Sequence, residues 1–439
     1  MSTMDQGQPR TSGLLGNCLR CSTSLPLRLA EIGETSREWA CAGCGATYHG
    51  VLLDDWPAEF QANVRPVPSG SEQGESLTPW LEPARRDPIS IALPDRVGIR
   101  CELETSLSRQ YDAEVGRGTN LRLPPQGEPF AARVRDLGGR LYDKDVMNRL
   151  AQVVNRSSAQ LAEVFGALQT GGQAGMHVVE SISQDGLFRA AEDIDLFVYL
   201  GITPSSDRYP SRHSLRVAML ATAMGAHMGW DERSLVELSI GCLLHDVGML
   251  GLDPGAYETK RILSLADFTQ IAKHPVLAIE SLRQYTDQLP LASRMVAYQI
   301  HERSNGSGYP RGAKADQIHD LAKLAAVADV YVAMVSPRPH RPGIVPYHAL
   351  KKILHDTKAG LFDSDVVRAL LKSVSLFPIG SYVALSDGRV GKVIRARGTE
   401  YDRPIVEAWT REEPTASRSI VDLSQQGAVR ITSTLDRPS

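Results

Sequence analysis

The chain has 439 residues, of which 42% are hydrophobic and 23% are charged, and its formal net charge is −3. This composition is typical of a soluble globular protein with room for about two to four domains. The near-neutral charge gives no overall attraction to nucleic acid or to an anionic membrane. No apolar run reaches the roughly 18 residues of a spanning helix, and the polar N-terminus lacks the apolar stretch of a secretory signal. We therefore expect a cytoplasmic protein with no membrane partner and no clear nucleic-acid patch.

Cysteine spacing marks the first candidate module. Residues 1–16 are polar and glycine-rich and are predicted to form a disordered tail. Residues 17–50 carry two Cys-x-x-Cys pairs with 19 residues between them: Cys18 and Cys21, then Cys41 and Cys44. Four thiolates at this spacing close a tetrahedral zinc site, which staples a module too small for its own core. Two disulfides or four unrelated thiols are the alternative, which a reducing compartment disfavours. We therefore predict a zinc ribbon with one structural Zn²⁺.

Residues 51–140 are predicted to form a linker and a small region of uncertain structure. The part from 57 to 96 is rich in proline, serine, glycine and glutamate, as linkers are. The part from 97 to 140 alternates weakly between apolar and polar residues and is expected to form a few strands. The two remaining cysteines, Cys101 and Cys242, are expected to be buried free thiols.

The rest of the chain is predicted to be a helical domain followed by a small β appendage. Apolar residues recur at helical spacing from Asp143 to about residue 375, which predicts an all-α domain over 141–376. Within it, Asp320 is expected to cap the helix that carries Asp329. Residues 377–433 contain short apolar runs around an Asp-Gly turn, which is typical of a hairpin.

Imidazoles and carboxylates recur in this helical region at intervals of about one helix and its return. The intervals are 32 residues from His213 to His245, and then 28, 27 and 28 residues counted from Asp246. The set consists of His213, His245, Asp246, His274, His301 and Asp329. In an antiparallel bundle this spacing brings each position back to the same level, and inward histidines and carboxylates build two-metal sites.

Each of these residues also has an ordinary interpretation. The His245-Asp246 pair follows the apolar Leu243-Leu244, and by itself it fits a helix cap as well as a metal site. A single histidine is usually a surface or satisfied core side chain. That interpretation is given to His227, His319, His340, His348 and His355.

The order of the motifs resembles the HD-GYP family, a branch of the HD metal-dependent phosphohydrolases. The matching motifs are His213, His245-Asp246, His274-Pro275, His301-Glu302, Gly306-Ser307-Gly308-Tyr309-Pro310 and Ala328-Asp329-Val330. The resemblance covers roughly residues 180–375 and implies an all-α fold for them. With the zinc ribbon predicted before this HD-type domain and the small β appendage after it, we expect a multidomain, mainly α protein. The resemblance also implies bacterial origin, a centre of two or three iron or manganese ions, and hydrolysis of the second messenger cyclic di-GMP.

The resemblance also implies a role for each site residue. Asp246 would bridge two metal ions and act in catalysis, His213, His245 and Asp329 would complete one shell, and His274 and His301 would serve the other. Two such ions lower the pKa of a bridging water, and the hydroxide opens the cyclic dinucleotide to a linear product. Substrate phosphate or a protein partner would be met by Tyr309, Arg311 and Lys314. Alternatively, the two basic residues are solvated surface charges.

Five positions depart from the family pattern. Met249 replaces a lysine three residues after the Asp of the HD pair, and Ile300 replaces the first of two adjacent histidines. The other three are Asn305 before the glycine loop, Val332 in place of a second Asp, and Tyr209 where trinuclear members carry a glutamate. A trinuclear centre is therefore not expected. The loss of one lysine and one imidazole could slow the reaction greatly, since single electrostatic groups contribute about 10²–10³ in rate.

Two main functions remain in view. The first is a cytoplasmic metal-dependent phosphodiesterase, with two iron or manganese ions, that hydrolyses cyclic di-GMP or a related nucleotide. The second is a catalytically degenerate HD-GYP domain that acts as a signalling adaptor and binds a nucleotide, or a protein partner through the Gly306–Pro310 loop or the zinc ribbon. A phosphohydrolase for another phosphoester is a third hypothesis.

Overall fold

The computed structural model describes residues 100–435 and five short strands nearer the N-terminus. Gaps in the described part fall at 119–120, 124–126, 204–208, 260, 262, 339–340, 342, 399, 412–417 and 426–428. The chain divides into two units, Met1–Ala92 and Leu93–Ser439.

The first unit contains short antiparallel strands. They are β1 (Leu15–Asn17), β2 (Ser24–Pro26), β3 (Arg28–Leu29), β4 (Arg37–Ala40) and β5 (Thr47–Gly50). Strand β1 pairs with β2, and β4 lies between β3 and β5. The four cysteines of the predicted zinc ribbon, and the predicted linker at 57–96, lie outside the described residues. The zinc ribbon therefore stays a prediction.

The second unit begins with a helix where we expected strands. Helix α1 (Ser106–Arg117) opens with a capping box in which Thr105 accepts from the Ser108 N–H and Ser108 accepts from the Thr105 N–H. It ends at Gly118, whose φ of 68° suits glycine. A short 3₁₀ helix, Phe130–Arg133, follows. The prediction of strands over 97–140 was wrong, because the two caps and the buried pair Leu107 and Tyr111 favour a helix.

The helical domain agrees with the prediction from periodicity. Its helices are α2 (Lys144–Gln169), α3 (Met176–Glu192), α4 (Ile194–Ile202), α5 (Ser211–His227), α6 (Glu232–Leu244), α7 (Leu265–Ile271), α8 (His274–Ser281), α9 (Leu291–Gln299), α10 (Asp320–Val335), α11 (Pro346–Lys358) and α12 (Ser364–Val374). Short 3₁₀ helices lie at Val247–Gly251, Pro254–Ala256, Arg283–Tyr285 and Ala315–Gln317. The first long helix is capped by Asp143, whose carboxylate accepts from two backbone N–H groups.

Helix α5 lies at the centre of the domain. It packs against α2, α4, α6, α10 and α12 and is buried on nearly every side. Helix α6 lies close to α9 at Gly241, where an added Cβ would be 2.5 Å from Val296 Cβ and 2.6 Å from the Ser293 carbonyl oxygen. This close packing brings the C-terminal end of α6 beside the loops that follow α9.

One described segment, Glu232–Gly251, is long and apolar enough to pass for a membrane span, contrary to our reading of the apolar runs. It has 20 residues, and 78% of its apolar window is buried within the folded domain. Burial of this kind is typical of a core helix. The apolar length of this segment is therefore explained by its packing against α5 and α9.

The C-terminal β structure is a five-stranded antiparallel sheet in the order β10-β6-β7-β8-β9. The strands are β6 (Tyr382–Leu385), β7 (Val390–Arg395), β8 (Ile405–Trp409), β9 (Ser419–Asp422) and β10 (Ile431–Leu435). Val383, Val393 and Val406 belong to the same apolar core as the helices. The buried guanidinium of Arg395 also pairs with Asp193, the N-cap of α4, at 2.9 Å. The sheet is therefore packed onto the helical domain.

Candidate metal centre

The six residues found by spacing come together in the structure. His213 lies in the first turn of α5, Asp329 in the middle of α10, and His274 at the first position of α8. His245 is the C-cap of α6, with Asp246 directly after it, and His301 follows the end of α9. None of the six is more than 8% exposed. The ends of four helices and the middle of a fifth thus place imidazoles and carboxylates in one buried cluster.

Two groups within this cluster have the spacing of metal ligands. One consists of His213, His245 and Asp246, and the other of Asp246, His274 and His301; in each, the ligand atoms lie within 4.8 Å of one another. Asp246 belongs to both groups: its Oδ1 lies 3.3 Å from His245 Nε2 and 3.5 Å from His274 Nε2. A carboxylate shared in this way is suited to bridging two cations.

Asp329 joins the two groups from the other side. Its Oδ1 lies 3.0 Å from His213 Nε2, and its Oδ2 lies 3.4 Å from His301 Nδ1. The Nε2 atoms of His274 and His301 are 2.9 Å apart. Two nitrogens bound to one ion at about 2.1 Å and at a right angle would lie about 3.0 Å apart. The spacing of these ring nitrogens therefore fits shared coordination.

Backbone carbonyls orient two of the imidazoles. His245 Nδ1 lies 2.7 Å from the Cys242 carbonyl oxygen, and His274 Nδ1 lies 2.7 Å from that of Ile271. If each Nδ1–H donates to its carbonyl, each Nε2 keeps a lone pair directed into the cluster. His245 Nε2 is buried and has no hydrogen-bond partner. A buried acceptor without a partner is costly, and a divalent cation would satisfy it.

The electrostatics of the cluster suit a cation as well. Burial lowers the pKa of His213 to about 4 and that of His274 to about 3, so both imidazoles are neutral near pH 7. Burial alone would raise the pKa of Asp246, but the surrounding histidines outweigh it and lower this pKa to about 2. For Asp329, too, burial would raise the pKa, but His213 and His301 outweigh it, and the pKa lies well below the usual range. Neutral imidazoles with ionised carboxylates form a donor set for divalent metals.

Gly248 allows the HD turn to lie against α8. An added Cβ at Gly248 would be 2.0 Å from the His274 carbonyl oxygen and 2.5 Å from the Ala278 nitrogen. Both of these are backbone atoms that cannot move aside, so no side chain fits. This contact sets Asp246 next to His274.

The glycine loop brings Tyr309 to the cluster. The Tyr309 ring stacks on His301 with centroids 4.9 Å apart and lies edge-on to His274 at 6.1 Å. Gly308 lies so close to His301 that an added Cβ would be 2.4 Å from the His301 carbonyl oxygen. The Glu302 carboxylate accepts from the N–H groups that follow the loop, at Arg311, Gly312 and Ala313. Of the three predicted substrate-binding residues, Tyr309 therefore contacts the cluster.

The structure gives Arg311 a structural role besides the predicted one. Its Nε donates to Asp112 Oδ2 at 3.0 Å, Nη1 donates to the Cys101 carbonyl at 2.7 Å, and Nη2 donates to the Leu103 carbonyl at 3.1 Å. This guanidinium holds α1 and the segment before it against the loop, and its role in substrate binding stays a prediction. Lys314 is exposed beyond the loop. Neither basic residue makes a described contact with the six clustered side chains.

Sequence reasoning missed two residues at the edge of the cluster. Tyr209 was noted only as a departure from the family pattern, and Arg338 was not considered. The centroid of the Tyr209 ring lies 5.9 Å from that of the His213 ring, and burial together with the nearby charge of Asp246 raises the pKa of the Tyr209 hydroxyl. The Arg338 guanidinium lies over the Tyr209 ring, 4.3 Å from its centroid. No spacing pattern marked Arg338, which lies in the loop after α10.

Among the residues that the structure describes, the remaining histidines and the departures from the family pattern fall outside the ligand set, and His340 lies outside the described residues. His319 is buried and caps α10, accepting from the Leu321 N–H at 3.1 Å, whereas Asp320 had been expected to act as the cap.

Met249 and Ile300, two of the departures from the family pattern, are buried at 2% and 0% exposure. Apolar side chains thus stand where the family pattern has a lysine and a further imidazole. Cys101 and Cys242 are buried free thiols, as expected.

Comparison with known proteins assigns the helical domain to a class. Residues 202–366 match a family model described as an HD domain. This segment is similar to HD domains, and the resemblance found from the order of its motifs is confirmed.

Named relatives share this segment. The chain is 30% identical to a cyclic di-GMP phosphodiesterase of Pseudomonas aeruginosa, over 51% of this chain and 54% of the relative. It is 29% identical to a cyclic di-GMP phosphodiesterase of Thermotoga maritima, over 43% and 50%. It is 26% identical to a 3'3'-cGAMP-specific phosphodiesterase of Vibrio cholerae, over 40% and 38%. The chain thus spans about half the length or less of these relatives.

Proposed function

We propose that this protein is a bacterial metal-dependent phosphodiesterase that hydrolyses cyclic di-GMP or a related cyclic dinucleotide in the cytoplasm. The observation that carries the proposal is the pair of buried ligand groups that share Asp246. Similarity to proteins named as cyclic di-GMP and 3'3'-cGAMP phosphodiesterases supports the substrate class.

We assign the six clustered residues to two cations, iron or manganese. His213, His245 and Asp329 would hold one ion, His274 and His301 would hold the other, and Asp246 would bridge them. Iron or manganese suits a donor set of four imidazoles and two carboxylates. When bound, two such ions supply an activated water near neutral pH and stabilise charge on the phosphoryl oxygens. A structural Zn²⁺ on the N-terminal cysteines, and the division into a ribbon, an HD domain over 141–376 and a β extension over 377–433, remain parts of this proposal.

The chain's own residues prepare the site for this reaction. Burial keeps His213 and His274 neutral, so neither must lose a proton before it binds a cation. The Cys242 and Ile271 carbonyls lie where they can accept from Nδ1–H of His245 and His274, which would leave each Nε2 free for a cation. Tyr309 forms an aromatic wall against His301, suited to contact with a base or ribose.

A catalytically degenerate adaptor is the second candidate, favoured by one observation. Met249 and Ile300 are both buried, so the centre lacks the lysine and one imidazole of the family pattern. In that case the domain would bind a cyclic dinucleotide without turnover and signal through a protein partner at the zinc ribbon or the Gly306–Pro310 loop. The loop offers such a partner limited surface, because the Arg100 side chain already donates to the Gly306 and Gly308 carbonyls.

Metal analysis and an assay for hydrolysis separate the two candidates. For the enzyme, we expect two iron or manganese ions per chain and conversion of cyclic di-GMP to a linear product with added Mn²⁺. Asp246→Ala should lose both the metals and the activity, whereas Asp365→Ala, at an exposed carboxylate in α12, should keep both. Metal-loaded wild-type protein that leaves cyclic di-GMP and 3'3'-cGAMP intact would favour the adaptor.

A further inference from the structure

Arg338 is a half-buried cation whose hydrogen-bonding groups are not used within the described part of the chain. Its guanidinium stacks on Tyr209, and the structure records no hydrogen bond or ion pair of this side chain with the described residues. The nearby Arg341 is different: its guanidinium donates to the carbonyls of Ala333, Met334 and Ser336. Arg341 therefore supports the loop, whereas Arg338 keeps its donors available.

Arg338 is held within electrostatic range of the metal centre. The ring beneath it belongs to Tyr209, 4.3 Å from the guanidinium carbon to the ring centroid. The centroid of the same ring lies 5.9 Å from that of the His213 imidazole. Tyr209 thus lies between the guanidinium and one of the clustered histidines.

The contact with the Tyr209 ring leaves the N–H donors at the edge of the Arg338 guanidinium free. A ring contacts the face of the planar group, while its five N–H donors lie in the plane and point outward. That arrangement matches two oxygens of one phosphate, which a lysine ammonium cannot bind in the same bidentate way. A stacked guanidinium beside a metal centre is therefore suited to a phosphate group.

None of the other positions considered as a phosphate-binding cation supplies one beside the metal centre. Position 249 carries a buried methionine in the turn after Asp246. Arg311 is turned toward α1, and Lys314 is exposed. A cyclic dinucleotide carries a negative charge on each of its two phosphates, and a cation beside the centre would stabilise that charge.

We propose that Arg338 binds a phosphate of the cyclic dinucleotide and provides the cationic contact that Met249 cannot make. Tyr209 is the positioning residue, because its ring lies against the guanidinium of Arg338 and beside the imidazole of His213. The inference rests on the proposed function for the identity of the ligand. It does not require turnover, since an adaptor that binds the same ligand would use the same contact.

Binding of cyclic di-GMP to the full-length protein tests this inference. Calorimetry on chelator-treated protein measures binding without turnover, and kcat/KM is measured separately with Mn²⁺. Loss of a charge-assisted contact should weaken binding by Arg338→Ala about 10- to 100-fold. Arg338→Lys should lose about 3- to 10-fold, since it keeps the charge but not the paired donors. Metal content should be unchanged in both variants.

Two further variants make the test specific. Arg233→Ala removes an exposed arginine at the opposite end of α6, roughly 18 Å along the helix from His245, and should bind as wild type. Met249→Lys added to Arg338→Ala should recover affinity to within about threefold of wild type, because it restores a cation at the other position.

The outcomes distinguish this inference from the proposed function. Wild type that hydrolyses cyclic di-GMP while Arg338→Ala binds it equally well would overturn the inference and leave the enzyme standing. Wild type that binds through Arg338 without turnover would support the inference and remove the enzyme. Metal loss in both Arg338 variants, or no binding by wild type, would overturn the inference.

Discussion

The Arg100 guanidinium donates to the Gly308 carbonyl oxygen at 3.0 Å, across 208 residues of sequence. It also donates to the Gly306 carbonyl at 3.0 Å, and it fills the space that a Cβ on Gly312 would need, 1.8 Å from Nη1. The Cys101 N–H donates to the Pro310 carbonyl at 2.9 Å. The segment before α1 thus fixes the backbone of the loop that carries Tyr309.

Removal of this contact should loosen the loop and weaken catalysis. Each charge-assisted bond to a carbonyl at a partly exposed site contributes about 1 kcal/mol. We expect Arg100→Ala, which removes two such bonds, to lower kcat/KM for cyclic di-GMP by up to about 30-fold, the equivalent of about 2 kcal/mol. Arg109→Ala, at an exposed arginine of α1, is the matched control and should keep wild-type kinetics. Equal kcat/KM for the two variants would mean that the loop holds its shape without Arg100.

Gly248 should tolerate no side chain. An added Cβ would meet backbone atoms of α8 at 2.0 and 2.5 Å, so α8 and the turn after Asp246 would have to separate. We expect Gly248→Ala to lower the free energy of unfolding by about 2–4 kcal/mol and to reduce the bound metal, because Asp246 and His274 would no longer be set side by side.

The matched control is a glycine with free space around it. Gly116 in α1 is exposed, and an added Cβ there would meet nothing within 4 Å. Gly116→Ala should leave metal content unchanged and raise stability by about 0.5–1 kcal/mol, since alanine favours a helix. Thermal melts and metal analysis of the two variants check this. A Gly248→Ala protein with full metal content would show that the close approach is not needed.

Local periodicity was enough to predict the helical domain and the clustered residues. Buried helices such as α5 keep their apolar spacing whatever they pack against, and a helix plus its return fixes the interval between the ligand positions. The six side chains from His213 to Asp329 could therefore be assigned to one site without knowledge of the loops. Family motif order then suggested their chemistry.

Long-range partners could not be predicted in this way. Arg100, Arg311 and Arg338 are alike as residues in a sequence, but one holds a loop, one holds a helix, and one stacks beside the metal centre. Which carbonyls or rings an arginine meets depends on tertiary packing between distant segments. Helix α1 was missed for a related reason. Its apolar face packs against distant residues such as Tyr298 of α9, and the local signals are limited to a Thr-Ser capping pair and a left-handed glycine.

A pH-dependent contribution to stability should come from Asp195 at the junction of helices and sheet. Burial raises the pKa of Asp195 to about 7, with Arg395 opposing this and Asp193 adding to it. The unfolded chain releases this proton near pH 4, so the folded state holds one more proton between pH 4 and pH 7. The free energy of unfolding therefore falls as the pH rises through this range and changes no further above it.

Asp195→Asn removes this titration while it keeps an oxygen to accept from the Ala396 N–H, which lies 3.3 Å from Oδ1. We expect the variant to gain stability relative to wild type between pH 4 and pH 8, measured as the difference in Tm at each pH. Asp365→Asn, at an exposed carboxylate, should follow the wild-type curve. A constant difference between the Asp195→Asn and wild-type curves would mean that this carboxylate titrates normally in the folded protein.

Met249→Lys should raise the rate of cyclic di-GMP hydrolysis with Mn²⁺. The side chain lies in the turn directly after Asp246 and is buried at 2% exposure, so an ammonium there is sheltered from water and strengthens its attraction for a phosphate. We expect kcat/KM to rise about 10-fold or more, with lower stability in the chelated protein, because a buried cation without a partner is costly. Met249→Leu keeps the apolar volume and should change neither quantity. A lysine variant that loses stability without any gain in kcat/KM would show that position 249 does not face the substrate, and that the apolar residue there is not what limits the rate.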